Sequence, residues 1–450
     1  MSITQQIHRA AHSGLMRTIL FLSIPTIIEQ ILSTLLQYVD TAMVGQLGEQ
    51  ATAAVSTTTT VTWLVNSIPG AIGTAMMVLI SRAAGAGDDA QVKKLAQQAL
   101  LLAVAAGAAL EIISITLCPY IPVWMGAEKA IQGEASRYFF IVSLPLVFRS
   151  VSSVLGYTLR AVQDTRTPMI ISAVSNGMNV VLNTLFIYIL GYGVAGAAIA
   201  SAISYAAAGL LMFWFYRRNG QLKWAWGSFS ADLPLLRECA VLGMPVLGVS
   251  LVSCLGYVVF ASLVSGMGTT IFAAHSIAVT AETIFYVPGY GLRSAASTLI
   301  GNARGERNPN KLKAVARLSV VLTVLIMIFS GAILFLGAGP LMRIFTPSQA
   351  VIDLGAEMLR LVALSEPFFG LMVVLEGIFY GLGRTRYAFL VETIGMWCIR
   401  ILFTFLCVRV WGLGLRAVWY CMIADNICKA ILFALPFLLP SSRARLLHLE

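Results

Sequence analysis

Twelve long apolar stretches separated by short polar turns decide what this chain can fold into. A bilayer core about 30 Å thick takes roughly 20 apolar residues per spanning helix. The stretches read as helices near 18–44, 52–80, 95–118, 137–159, 168–190, 195–216, 239–264, 272–300, 314–339, 358–382, 388–408 and 415–439. Only 11% of residues are charged, 58% are hydrophobic, and the mean hydropathy is +0.84. A soluble domain carries about a quarter charged residues. The expected class is therefore an all-α polytopic membrane protein.

The net charge of +10 would fit a nucleic-acid binder by sign alone, but its distribution gives another reading. Basic residues gather in alternate loops: Arg82, Lys93 and Lys94; Arg160 and Arg166; Arg217, Arg218, Lys223 and Arg237; Arg304, Arg307, Lys311, Lys313 and Arg317. The intervening loops hold few. By the positive-inside rule both termini are expected in the cytoplasm, in a multi-pass protein of the plasma (cytoplasmic) membrane with no nucleic-acid partner. The opening residues "MSITQQIHRAAHSGLMR" show no short apolar core followed by a small-residue cleavage site, so no removable signal peptide is expected. The seven cysteines lack metal-ligand spacing and read as packing residues.

Sliding the sequence on itself by 220 positions pairs Pro25 with Pro245, Val44 with Val264, Gly48 with Gly268, Ala83 with Ala303, Lys93 with Lys313 and Thr165-Arg166 with Thr385-Arg386. With six helices per half, both halves enter from the same side, so the repeat is parallel, about a pseudo-two-fold axis along the membrane normal. The expected organisation is an N-terminal tail (1–17), an N-lobe (18–216), a cytoplasmic linker (217–238), a C-lobe (239–440) and a C-terminal tail (441–450). Two bundles joined this way are the usual architecture of alternating access.

Mismatches between the repeats point to function, because packing alone would be shared. The stretch "LLQYVDTAMVGQLG" (Leu35 to Gly48) places Asp40 opposite Phe260, while Asn179 and Asn183 face Ile399 and Phe403. A carboxylate in hydrocarbon is costly and marks a functional position by default. Asn176, Asn179 and Asn183, at i, i+3 and i+7, form one helical stripe, and such amides need inward partners. Glu29 lies eleven residues before Asp40 on nearly the same face, about 16 Å away, as a stepping path for a cation or proton would require. Pro25 removes a backbone hydrogen bond from the same helix and lets it bend there. Interhelical hydrogen bonding alone is the simpler reading of the asparagines.

The second half carries intramembrane charges of its own. His275, Glu282 and Arg293 form a candidate polar site on one helix; Glu366, Glu376, Glu392 and Arg400 follow, and Asp425 and Lys429 are spaced for an i, i+4 salt bridge. Arg149 has no sequence-local partner. Asn176, Tyr157, Phe260 and Tyr286 are candidate substrate-lining residues, the aromatic ones suited to flat cations. There is no Walker A pattern, nucleophile elbow, zinc motif or dinucleotide fingerprint, so neither enzymatic chemistry nor ATP use is expected.

Several segments, taken jointly, carry a resemblance over essentially the whole chain: "PTIIEQILSTLLQYVDTAMVGQLG", "LRAVQDTRTP", "NVVLNTLFIY", "GVAGAAIAS", "AAHSIAV", "VPGYGLRSAASTLIGNARGE" and "GLGRTR". They resemble the MATE (multidrug and toxic compound extrusion) family of antiporters, and within it the DinF-like branch that works from an N-lobe aspartate. The resemblance implies a twelve-helix, two-lobed, monomeric exporter of small amphipathic cationic drugs. Its coupling ion would be H+ or Na+, and it would have no cofactor. It also implies a coupling site at Asp40, Asn179, Asn183 and Ser201. Asn183 departs from the aspartate usual in relatives, and Glu29 stands where they commonly have glutamine. One carboxylate offsets less of the dehydration of Na+ than two would, which favours H+. The other reading kept open is a lipid-linked-precursor flippase of the same superfamily.

Overall fold

The computed structural model describes residues 3–224 and 231–439, with side chains from residue 14 onward, and these residues are helical without a strand. Residues 225–230 of the expected linker and the whole expected tail 441–450 lie outside them. The elements are α1 (Ile3–Gly45), α2 (Glu49–Gly85), α3 (Asp89–Leu117), a short turn Ile121–Trp124, α4 (Lys129–Ser143), α5 (Leu146–Ala161), α6 (Arg166–Ile189) and α7 (Gly193–Arg218). After them come α8 (Leu233–Ser265), α9 (Thr269–Gly305), α10 (Pro309–Phe345), α11 (Gln349–Ala363), α12 (Glu366–Gly381), α13 (Thr385–Val410) and α14 (Leu415–Leu438). Ten of these helices are long and apolar enough to span a bilayer, and two bent pairs bring the total to twelve.

The repeat read from the sequence reappears in the elements. Both ends of α2 and α9, of α4 and α11, and of α5 and α12 are separated by 220 positions. Gly48 and Gly268, which precede α2 and α9, share the same left-handed backbone, with φ of 111° and 116°. That region is nearly closed to residues with a Cβ, which accounts for a glycine at both positions.

Two spans differ from the straight helices expected at 137–159 and 358–382. Each starts earlier, at Lys129 and Gln349, and each is a pair of limbs bent by 52° (α4 to α5) or 54° (α11 to α12). Pro145 precedes α5 and Pro367 sits in the first turn of α12, positions where the missing N–H leaves the ladder unclosed. Several other helices overrun their apolar stretch, as α2 does with 37 residues against an expected 52–80. Backbone hydrogen bonding continues past the point where hydrocarbon ends, so an apolar window underestimates length.

The chain divides into two compact units, residues 28–247 and residues 1–27 with 248–450. Both divisions fall inside a helix, α1 between Ile27 and Ile28 and α8 between Leu247 and Gly248, each just after a proline, Pro25 or Pro245. The core of the 28–247 unit includes Met76, Ile80, Leu95, Leu155, Leu159, Ile171 and Tyr216; that of the other unit includes Val264, Ala278, Leu334, Met342, Leu359 and Trp419. Large apolar side chains such as Ile112, Ile189, Leu336 and Leu438 stay exposed, as a lipid-facing surface requires. At the entrance to α8, Lys94 Nζ lies 2.5 Å from Asp232, whose carboxylate also accepts from the Leu235 N–H. These two bonds, the lysine's first, hold the Asp232 carboxyl below the usual carboxylate range.

Small residues let the helices of the 28–247 unit approach closely. A Cβ built on Gly209 of α7 would stand 2.4 Å from the Phe148 carbonyl oxygen of α5, a backbone atom that cannot swing aside. Gly209→Ala is expected to destabilise the unit by about 1–3 kcal/mol, read as a lowered thermal midpoint in detergent. An unchanged midpoint would show that α5 and α7 separate without cost.

Candidate functional site in the 28–247 unit

α1, α6 and α7 bring the predicted coupling residues together. Asn183 Nδ2 donates to Asp40 Oδ1 at 2.6 Å and to Asn179 Oδ1 at 3.0 Å. Asn179 Nδ2 in turn donates to Ser201 Oγ at 3.2 Å. The three partners are buried while Asp40 is half-buried, so the chain of bonds runs inward from its one ionisable member. The helical spacing of Asn179 and Asn183 puts them on one face, and α6 changes to a wider π-helical turn over Thr184–Ile189, directly after Asn183. Such widened turns cluster at functional sites. Tyr188 closes the same end of α1, its hydroxyl donating to Gln46 Oε1 at 2.8 Å. Both amide hydrogens of Asn183 are committed to oxygens, and its Oδ1 accepts no hydrogen bond from the described residues.

One turn before Asn179 on α6, Asn176 lines a cavity of about 480 Å3 within the same unit, as does Tyr157 of α5. Glu29 also reaches this cavity but does not join the Asp40 network. Both of its carboxylate oxygens are held by Arg160 Nη2, at 2.7 and 2.6 Å, with the guanidinium 5.3 Å from the Tyr157 ring. A buried arginine takes the nearest carboxylate, and here that acid is the one the sequence placed on an ion path. Arg149, unassigned from sequence, stands in the cavity wall 4.3 Å from the Tyr205 ring centroid. Its signal was present as a stripe on α5: Arg149, Ser153, Tyr157 and Arg160 recur on one helical face.

The residues proposed as a second polar site are not brought together. His275 packs edge-on between Phe260 and Trp419, with ring centroids at 5.6 and 5.7 Å. Arg293 pairs with Glu376 at 2.8 Å, and Tyr380 donates to the same carboxylate at 2.5 Å. Glu282 instead lies in the electrostatic neighbourhood of Arg400 and Glu366. Eleven residues along a helix is about 16 Å, too far for Glu282 and Arg293 to touch, and Arg293 bonds instead to Glu376 on α12. Phe260 is buried against His275, and Tyr286 packs on Tyr290 and Phe369; neither lines the cavity of the 28–247 unit. The i, i+4 pair Asp425–Lys429 forms at 3.2 Å.

Comparison with known proteins gives a consistent result. A probable multidrug resistance protein NorM of Thermotoga maritima is 28% identical over 93% of this chain and 91% of its own length. A solved transporter of the MOP superfamily from Pyrococcus furiosus superposes with a TM-score of 0.90 at 24% identity, over 97% of this chain and 96% of that one. A crystal structure of MATE in complex with MaL6 gives 0.91 at 24%, over 97% of both chains. At that identity the two structures speak for the fold. The MatE family model matches twice, over residues 25–185 and 245–406, so that the second match begins at Pro245, the repeat partner of Pro25. With both halves matched over most of their length, this chain belongs to the MatE family.

Proposed function

We propose that the chain is a secondary antiporter of the plasma membrane, exporting amphipathic drugs or toxins, organic cations among them, in exchange for H+ or Na+. Asp40 is the coupling residue. The family's members are transporters, driven by ion gradients rather than by cofactors. The observation that carries the reading is the hydrogen-bonded chain Asp40–Asn183–Asn179–Ser201, whose Asn179 lies one helical turn from the cavity-lining Asn176.

The chemistry of the chain favours a proton. Asn183 Nδ2 is a donor only, so it bonds to Asp40 Oδ1 as long as that oxygen carries no hydrogen. A proton arriving on the carboxylate removes its charge and one of its acceptor sites, which weakens the charge-assisted bond from Asn183 Nδ2 and shifts that amide toward its other acceptor, Asn179 Oδ1. α1 then bends near Pro25, two residues before the point at which the helix passes from one compact unit to the other. Release of the proton on the opposite side resets the cycle, with the lobes 18–216 and 239–440 exchanging access. Coupling requires that ion and cargo favour different states, because a ligand that binds both equally shifts nothing.

Reconstituted vesicles with proton and sodium gradients imposed separately test this reading. A proton gradient alone is expected to drive drug flux. Flux driven only by sodium would assign Na+ to Asp40, and no flux under either gradient would overturn the antiporter reading.

A further inference from the structure

We propose that the cavity of the 28–247 unit holds its cargo by an anionic group, a carboxylate on an aromatic body, with Arg149 as the counter-charge. The inference deepens the antiporter reading and rests on it in taking this cavity as the cargo site.

Arg149 is the exception among the deep cations. Arg160, Arg293, Arg400 and Lys429 each hold a carboxylate, at 2.6 to 2.9 Å. Arg149, half-buried within a spanning segment, makes no ion pair among the described residues; it lies over the face of Tyr205 and within electrostatic range of the Tyr138 phenol. An arginine kept at membrane depth without a partner is costly and is retained where something else supplies the negative charge. Stacked on a ring, a guanidinium keeps its edge N–H groups for bidentate binding of a planar anion, a geometry that suits carboxylate.

The charge and hydrogen-bonding balance of the cavity points the same way. Its ionisable lining consists of Glu29, Arg160, Arg149 and two tyrosines, and Glu29 is neutralised by Arg160 through both oxygens. One positive charge is left over. Donors also stand unused: Ser150 Oγ, on a side chain only 1% exposed, and Asn176 Nδ2 have no partner among the described residues, and both residues line the cavity. A cationic head group would find no free acid in this lining and would be held by ring faces alone, more weakly than a carboxylate at Arg149. A carboxylate would meet the Arg149 charge with these two donors in the same wall, while Tyr157 and Tyr205 supply faces for a flat apolar body. A zwitterionic drug fits on the same terms, its carboxylate at Arg149.

Binding of naphthoate and of naphthylmethylammonium, measured by titration calorimetry on the full chain in phosphatidylcholine nanodiscs without any gradient, tests the proposal. Naphthoate is expected to bind the wild type more tightly than the amine, and Arg149→Gln to weaken it at least about tenfold, as loss of charge-assisted hydrogen bonds implies. Arg149→Lys should recover part of that loss, and the amine should bind Arg149→Gln as well as or better than the wild type. Should Arg149→Gln fail to fold, Ser150→Ala and Arg149→Lys carry the comparison, each weakening naphthoate severalfold without weakening the amine. Equal naphthoate affinity in wild type and variants, or a wild-type preference for the amine, overturns the proposal. So does loss of naphthoate binding when phosphatidylglycerol is added to the disc, which would make the occupant a lipid phosphate. Because no gradient is applied and Asp40 is intact, this result stands or falls separately from ion coupling.

Discussion

Asp40→Asn is expected to reduce gradient-driven drug flux on the order of a hundredfold, to the background of empty vesicles, while leaving the protein folded. The substitution is isosteric, and the new amide oxygen can still accept from Asn183 Nδ2, the bond that now spans 2.6 Å. What disappears is the change of state. An asparagine is neutral on both sides of the membrane, so neither H+ nor Na+ arrival alters its contacts, and the ion loses its differential affinity for the two access states. A coupling of a few kcal/mol then falls to nothing. Counterflow of drug without a gradient, which needs only cargo binding and access exchange, should persist. The thermal midpoint should move by no more than a conservative change at a half-buried site implies. Undiminished flux under an imposed gradient would remove Asp40 from the coupling step.

Much of the fold could be read from the sequence because the physics that sets it is local. A long apolar stretch can satisfy its backbone in lipid only by becoming a helix, and a 220-residue shift that superimposes Gly48 on Gly268 reports a shared backbone conformation at both. The bends after α4 and α11 were not read, although Pro145 and Pro367 mark them, because a proline breaks the backbone ladder without interrupting the apolar composition by which the spans were drawn. Nor were the unit boundaries, which depend on which helices touch: nothing in the composition of α1 changes between Ile27 and Ile28. Asp40, Asn179 and Asn183, which the structure joins by hydrogen bonds, were singled out by helical spacing and by the mismatch between repeats. Glu29 was placed on an ion path because helix periodicity gives its face but not its partner. Arg160 lies 131 positions away on another helix, and only packing brings it to the carboxylate. Arg293 and Glu376 repeat the lesson across 83 positions.

The same limit governs the other large effect expected, at a cluster that sequence spacing half disclosed. Lys429 is expected to be indispensable for stability, and Lys429→Met to lower it by about 3–5 kcal/mol, the cost of leaving buried carboxylates uncompensated. Lys429 Nζ stands 2.8 Å from Glu392 Oε2 and 3.2 Å from Asp425 Oδ1, and Arg400 Nε reaches Asp425 Oδ2 at 2.9 Å. All four side chains are 10% exposed or less, Asp425 not at all. The four bonded side chains carry two charges of each sign, so methionine in place of lysine leaves one negative charge unmatched in a low-dielectric interior. The site cannot collapse to exclude it, because α13 already approaches too closely. A Cβ on Gly395 would lie 2.2 Å from both Lys429 Cε and Asp425 Oδ1. The thermal midpoint in detergent should fall by about 10 °C. Pairing Lys429→Met with Glu392→Gln removes one charge of each sign and should restore most of the loss, since a balanced apolar replacement of a buried pair is often neutral. If the single variant melts with the wild type, the cluster is not the electrostatic unit its distances describe, and one of the two carboxylates at Lys429 is neutralised by other means.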